Sequence, residues 1–434
     1  MTVNGDFDWN HLIQEQRVHR EVYTNPELFG IEMTKLYGGL WTYLCHESEI
    51  PDAGSFRRSR LGLREVIVSR DKQGDIHALF NRCSHRAASV CSEQAGSTAR
   101  FVCPYHGWTY GLNGDLLAVP YADGYGDGFD KSTRHLPRVP RVESFHGFIF
   151  GTLNMAMPTL TDYLGLAGDV LNDFINRAPN GKLELSAGAY RSTYHGNWKL
   201  AWDNAADMYH VFFAHRSLVE MTRSRYPEGD TGATYAARPD QSPIYSYYLG
   251  QGHTYLHHRP GMGPSIFERA RPAPGSELWA DSLRRSMGEE AAADMLERVP
   301  GQGMNLNIFP NLMIIASQVQ VVEPVSFDRT QLTWYATTMT DAPLEANVLR
   351  MRIAEDFPNF GEVDDLEMFE RCWQGLQIPE AEWIDCSRGS DVPLAEIIAE
   401  NGAHKAHGTL EHALRGYLQA YKHYMQQDMK LQAG

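Results

Sequence analysis

Cysteine is scarce in this chain, with six in 434 residues, too few at too irregular a spacing for a disulfide scaffold, and a reducing compartment agrees with that. Cationic residues are also in short supply: 39 Lys and Arg against 54 Asp and Glu leave a formal charge of −15, which argues against a nucleic-acid-binding surface. No apolar run is long enough to span a bilayer, and the opening "MTVNGDFDWNHLIQEQRVHRE" has no basic stretch leading into an apolar one. The expected location is therefore cytoplasmic. No G-x-G-x-x-G follows a strand-like run, so nicotinamide or flavin binding by this chain is not expected. No internal repeat or low-complexity tract is present either. What remains is a composition of 43% hydrophobic and 21% charged residues, that of an ordinary globular protein, in a length that suits two domains.

The pattern changes along the chain. From Leu40 to Leu153 short β-like runs dominate ("WTYLCHE", "REVIVSR", "HALFNRC", "FHGFIFGTL"), separated by turn signals such as "SRDKQGD" and "GLNGD". These predict an antiparallel all-β domain. Before them "PELFGIEMTKLYGG" reads as a helix ending at Gly38 and Gly39. After Met157, helical stretches ("TDYLGLAGDVLNDFINRA", "WDNAADMYHVFFAHRSLVEM", "LEANVLRMRIAEDF", "LEMFERCWQGL") alternate with extended ones ("LELSAGAYRSTYHGNWKL", "NLMIIASQVQVVEPVSF", "TQLTWYATTMT"). That mixture predicts an α+β layer, an antiparallel sheet with helices over one face.

The segment "NRCSHRAASVCSEQAGSTARFVCPYHGW" carries Cys83 and His85, then, after 17 residues, Cys103 and His106. Two owners are common for two thiolates and two imidazoles. A zinc finger usually takes its Cys pair from one loop and its His pair from one helix. Here each loop offers one of each, as a Rieske cluster requires, with one iron held by two Cys and the other by two His. Pro104 and Gly107 suit a tight turn beside the second pair.

C-x-H-x17-C-x2-H followed by "GWTY" resembles the Rieske motif of the aromatic-ring-hydroxylating oxygenases, in particular their large (α) subunits. The resemblance implies that Cys83, His85, Cys103 and His106 hold a [2Fe-2S] cluster, whereas Cys91, inside the spacer, is not carried over as a ligand. The family usually reads C-x-H-R-G at the first loop, where this chain has Ala87. The implied fold is an all-β Rieske domain over 40–155 inserted into a helix-grip (START-like) catalytic domain formed by 1–39 and 156–434.

A cluster alone only relays an electron, and the receiving centre should lie in "NWKLAWDNAADMYHVFFAH", from Asn197 to His215. Two imidazoles and a carboxylate make the facial triad of a non-haem Fe(II) oxygenase, with positions open for dioxygen. On an ideal helix His210 and His215 point about 140° apart, so the helix must distort or end between them. The segment is close to the family signature around the catalytic iron, which implies His210 and His215 as ligands. The third ligand is expected in "NFGEVDDLEMFERCWQGLQ", where the resemblance favours Asp365, with Asp364 as the alternative. Asp207, one helical turn before His210, can steady its second ring nitrogen. By resemblance Asp207 also receives His106 of a neighbouring subunit, which implies a head-to-tail trimer, with small β subunits (α3β3) in many members. Asn204 is placed beside the iron, and Asp203 stands where the family often has Glu.

The implied activity is cis-dihydroxylation of an aromatic ring with O2, using electrons from NAD(P)H that reach the cluster through a separate reductase or ferredoxin. A Rieske monooxygenase, hydroxylating once or demethylating, would use the same ligands. Pocket candidates are Met208, Val211, Phe212, Phe309, Leu312, Ile314, Phe357 and Phe360, mostly apolar as an aromatic ring requires. A carboxylated substrate would want an Arg or Lys anchor, and Met304 to Phe327 has none. The segments "RVHREVYTNPELF" and "CHESEIPDAGSF" nevertheless resemble the benzoate-, cumate- and salicylate-type enzymes, so a monocyclic aromatic acid is placed ahead of a neutral hydrocarbon.

Overall fold

In the computed structural model the described residues are 7–217, 220, 244–257, 275–298, 304–394, 397–399 and 401–432. The chain divides into two compact units, Glu32–Tyr163 with Asp428–Gly434, and Asn4–Ile31 with Leu164–Gln427. Among the described residues no helix is long and apolar enough to cross a membrane.

The first unit is built of short antiparallel strands. Arg64–Arg70 is buried over Val66, Ile67 and Val68 and pairs with both Ser55–Leu61 and Ile76–Phe80, a central position that suits its β-branched run. Thr42–His46 joins Phe148–Thr152, which in turn pairs with Arg141–Phe145. A third small sheet, Phe101–Val102, Thr109–Tyr110 and Leu116–Ala118, carries one of the two Cys/His loops. The core beneath it includes Phe56, Ile67, Leu79, Phe101, Trp108 and Tyr110, with Cys83 and Cys103 among them.

The second unit is an eight-stranded antiparallel sheet whose spatial order is Ala189–His195, Arg329–Ala336, Gln318–Ser326, Leu312–Ile315, Met304–Ile308, His253–His257, Tyr245–Gly250 and His404–His407. Two helices set its gripped face. Glu362–Leu376 reaches it through Glu362, and His412–Gln426 lies against it with Gly416 so close to Tyr248 that a Cβ would come within 2.4 Å of the ring. "NLMIIASQVQVVEPVSF" is two strands, because Ala316 takes a positive φ of 54° and turns the chain. "TDYLGLAGDVLNDFINRA" is likewise split, at Gly165, where φ is 46°. "WDNAADMYHVFFAH" also breaks, into Lys199–Ala205 and the single turn Val211–Ala214.

Candidate active site

The two Cys/His loops of the first unit have the same backbone wiring. The Cys83 N–H donates to the carbonyl of Ala88 at 2.8 Å and the Ala87 N–H to that of Cys83 at 3.0 Å; Cys103, Trp108 and Gly107 repeat both bonds at 2.8 and 3.0 Å. The fourth residue after each Cys is left-handed, φ being 62° at Ala87 and 71° at Gly107. Glycine does this freely, whereas Ala87 carries a local cost of ~1 kcal/mol and keeps the same backbone. The departure from C-x-H-R-G therefore leaves the loop's shape intact.

Both thiols are buried, Cys83 at 1% and Cys103 at 2% exposure. Burial, then the neighbouring Cys83 sulfur, raises the Cys103 thiol above its ordinary value. The Tyr110 hydroxyl lies 3.2 Å from the Cys83 Sγ and accepts from the Ser84 N–H at 3.2 Å. Trp108 stacks on the His85 ring with centroids 5.0 Å apart, and the His106 ring is 4.6 Å from His85. Burial, followed by His106 and Arg86, holds His85 below the usual imidazole value. Its Nδ1 is buried with no protein partner, while its Nε2 lies 3.5 Å from the Tyr125 hydroxyl. Two buried thiols and an inward imidazole nitrogen lacking a partner fit an iron–sulfur cluster better than any bond the protein itself makes there. Cys91 belongs to the same buried core, and its Sγ lies 3.6 Å from the carbonyl of Glu93.

In the second unit the broken helix decides the geometry. The Asp207 carboxylate accepts from the backbone N–H of Tyr209 at 2.6 Å and of His210 at 3.1 Å, so it offers the backbone an alternative to continued helix. His210 and His215 then stand at the two ends of Val211–Ala214, with ring centroids 5.3 Å apart. The His210 Nε2 is 3.6 Å, and the His215 Nε2 3.3 Å, from the same Asp365 Oδ1. Ligand atoms of His210, His215 and Asp365 all lie within 4.8 Å of one another, with Asp365 and His215 buried.

Each imidazole has its own carboxylate on the other nitrogen. Asp207 Oδ2 is 3.0 Å from His210 Nδ1 and Asp364 Oδ2 is 3.3 Å from His215 Nδ1. Burial works against protonation of His215, but Asp365 and then Asp364 outweigh it and raise its pKa. Asp364 thus faces the outer side of an imidazole and Asp365 the inner, and the Asn204 amide donates to Asp365 Oδ1 at 3.1 Å. Two neutral imidazoles and one carboxylate, with each ring steadied from behind, suit a divalent transition metal.

Residues 183–427 match the family model "Ring hydroxylating alpha subunit (catalytic domain)", and residues 40–142 match "Rieske [2Fe-2S] domain". The chain is a ring-hydroxylating oxygenase α subunit. Its relatives include the 2-halobenzoate 1,2-dioxygenase large subunit of Burkholderia cepacia, 34% identical over 386 residues, 86% of this chain and 80% of the relative. The anthranilate 1,2-dioxygenase large subunit of Acinetobacter baylyi is 32% identical over 414 residues, 90% of this chain and 86% of the relative. A solved naphthalene 1,2-dioxygenase with indole in its active site superposes with a TM-score of 0.81 at 26% identity, covering 99% of this chain and 96% of that one. The enzyme is thus a Rieske non-haem iron dioxygenase of aromatic rings, working with a [2Fe-2S] cluster and mononuclear iron.

Two more carboxylates of the oxygenase lie on the helices that carry Asn204 and Asp365. Glu362, one helical turn before Asp365 and 3% exposed, accepts from Trp334 Nε1 at 3.1 Å and faces Gln320 Nε2 at 3.4 Å and Ser192 Oγ at 3.5 Å. Burial, then the Asp365 charge, pushes its carboxyl up to about 8. Asp203 accepts from the Tyr23 hydroxyl at 2.8 Å, and burial raises it to about 7 against the pull of Tyr23 and Lys199.

The pocket candidates separate into groups. Met208 is buried against Ile244 and Leu256, with Val211 and Phe212 packed on that cluster. Phe309 is instead part of an aromatic core, its ring 6.1 Å from Trp198, 5.3 Å from Trp202 and 5.6 Å from Tyr417. Leu312 and Ile314 are on the wrong face. Directly paired residues project together, and Met313 pairs with Gln320, which reaches Glu362, so Met313 shares the gripped face while its neighbours Leu312 and Ile314 point to the other. Phe357 and Phe360 lie on the helix Leu344–Phe360, their side chains outside the described residues. Glu362 and Met313 were missed by sequence pattern, since the first looked like one more acid in an acidic run and the second depends on a register that only the sheet reveals.

Proposed function

We propose that this α subunit dihydroxylates a monocyclic aromatic acid to a cis-diol, with O2 as co-substrate and NAD(P)H electrons delivered by a separate reductase, directly or through a ferredoxin. The observation that carries the site assignment is the convergence of His210, His215 and Asp365 from two distant segments onto one small volume. The aromatic-acid preference is supported by relatives whose names specify 2-halobenzoate and anthranilate. Cys83, His85, Cys103 and His106 hold the cluster; His210, His215 and Asp365 hold the iron, which when bound supplies activation of dioxygen beside the ring.

The chain's own groups then have distinct tasks. Asp207 and Asp364 keep the Nδ1 protons of His210 and His215 in place, leaving each Nε2 lone pair facing Asp365. Asn204 holds Asp365 Oδ1 and so limits how the carboxylate swings. Met208, Val211 and Phe212 give an apolar wall for the ring. Asp207, whose side chain is 30% exposed, keeps acceptor capacity for His106 of an adjacent subunit, and the assembly that supplies it is a head-to-tail trimer, joined by small β subunits.

The test replaces His210 by Ala. Mononuclear iron and diol formation from benzoate should be lost while the visible spectrum of the cluster persists. Full turnover of the variant, or a colourless wild-type protein containing zinc, would sink the proposal.

A further inference from the structure

The gripped face of the sheet has a polar floor. One row across five strands reads Thr254, Asn307, Met313, Gln320, Trp334, each paired directly with the next. The adjacent row reads Ser246, Leu256, Asn305, Ile315, Gln318. Both rows lie under the arms that carry the iron-site residues. At one side Gln320 and Trp334 meet Glu362, a turn before Asp365; at the other Leu256 packs on Met208, two residues before His210. Asn307 and its neighbours therefore lie between the two arms, about 10 Å from Gln320 by strand spacing.

Three strand side chains of this floor are buried with an unpartnered polar atom: Ser246 Oγ, Asn307 Oδ1 and Gln318 Oε1. Ser246 is 1% exposed and Asn307 0%. Buried hydroxyls and amides almost always have a partner, and one left without destabilises the fold. The shared face argues that the missing partner is a ligand group. Asn307 Nδ2 donates to Thr254 Oγ1 at 2.9 Å. Because a threonine hydroxyl can also donate, turning the amide over lets Thr254 donate to Oδ1 and frees the Nδ2 protons.

We infer that Asn307, poised by Thr254, forms the subsite for the ring carboxylate of the substrate, which it holds by neutral hydrogen-bond donation, whereas Ser246, two strands away and one row along, is too distant to share that group. This rests on the aromatic-acid reading above and supplies what that reading lacks, since no Arg or Lys lies between Met304 and Phe327. A site built to hydrogen-bond a substituent also rejects rings without it, since its own polar groups are then left unpaired.

The experiment measures benzoate and toluene binding to the resting, metal-loaded enzyme by calorimetry, in wild type, Asn307→Leu and Ser246→Ala, with a thermal melt of each. Benzoate affinity should fall roughly 10- to 100-fold in Asn307→Leu, through loss of a hydrogen bond to a charged group, and stay near the wild-type value in Ser246→Ala, with toluene shifted far less in both. Equal weakening of both ligands would make Asn307 a packing residue and overturn the subsite, as would unchanged benzoate binding in Asn307→Leu or a loss in Ser246→Ala as large as that in Asn307→Leu. Wild-type enzyme that binds toluene and ignores benzoate would instead overturn the aromatic-acid reading, and the carboxylate subsite with it.

Discussion

Replacing Asp207 by Asn tests the connection between the two metal sites rather than either alone. The carboxylate makes three contacts: Oδ1 accepts from Tyr209 N–H at 2.6 Å, and Oδ2 accepts from His210 N–H at 3.1 Å and His210 Nδ1 at 3.0 Å. An asparagine has one acceptor oxygen. Placed at Oδ2 it keeps both His210 bonds and turns its NH2 against the Tyr209 N–H; placed at Oδ1 it loses both His210 bonds. The first arrangement wins, so His210 stays oriented while its bond changes from charge-assisted, ~1.5–3 kcal/mol, to neutral, ~0.5–1.5 kcal/mol. Iron affinity should weaken about tenfold, the lower end of what outer carboxylates contribute. The NH2 group, however, now points a donor where His106 of the next subunit must donate. Cluster reduction should proceed normally, whereas reoxidation of the reduced cluster with substrate and O2 should slow by orders of magnitude. A single-turnover experiment at saturating iron, following cluster colour and diol together, reads both. Reoxidation at the wild-type rate would refute the bridge.

Ala87→Gly should stabilise the cluster loop, by up to ~1 kcal/mol from relief of the left-handed strain less the extra entropy of an unfolded glycine, readable as slower cluster loss in denaturant. Tyr110→Phe removes a hydroxyl beside Cys83 Sγ that favours the more negative, reduced cluster, so the reduction potential should drop by roughly 50 mV, the equivalent of about 1 kcal/mol for one electron; an unchanged voltammogram contradicts this. Glu362 has a folded pKa raised from 4.5 to about 8, so it favours folding only while neutral, and stability is lost as pH rises through that window. Glu362→Gln should flatten that loss in the iron-free protein, by on the order of 4 kcal/mol across the window at ~1.4 kcal/mol per tenfold change in acidity, and chemical denaturation at pH 5 and pH 9 checks it.

Spacing carried much of the site and little of its supports. Cys83, His85, Cys103 and His106 stood out because two Cys/His pairs in two loops have few chemical owners, and the five-residue step from His210 to His215 already demanded a broken helix. The cause of the break was not visible beforehand. It is the Asp207 carboxylate competing for two backbone N–H groups, an interaction without periodic signature. The hairpin at Ala316 was also hidden, because a left-handed alanine replaces the glycine or asparagine that normally announces such a turn. Glu362 owes its role to Ser192, Gln320 and Trp334, partners spread over three strands, and so no local window of sequence contains it.

The alternation along Leu312–Ile315 has a practical corollary for anyone wishing to redirect this enzyme to other rings. Randomising the whole tetrapeptide would spend half of a library on Leu312 and Ile314, where changes disturb packing on the far side of the sheet. Restricting diversity to Met313 and Ile315, together with Asn305 and Asn307 on the neighbouring strand, confines the search to four positions that share one surface. Selection on those four can then act on substrate choice while Leu312 and Ile314 keep their packing on the far side of the sheet.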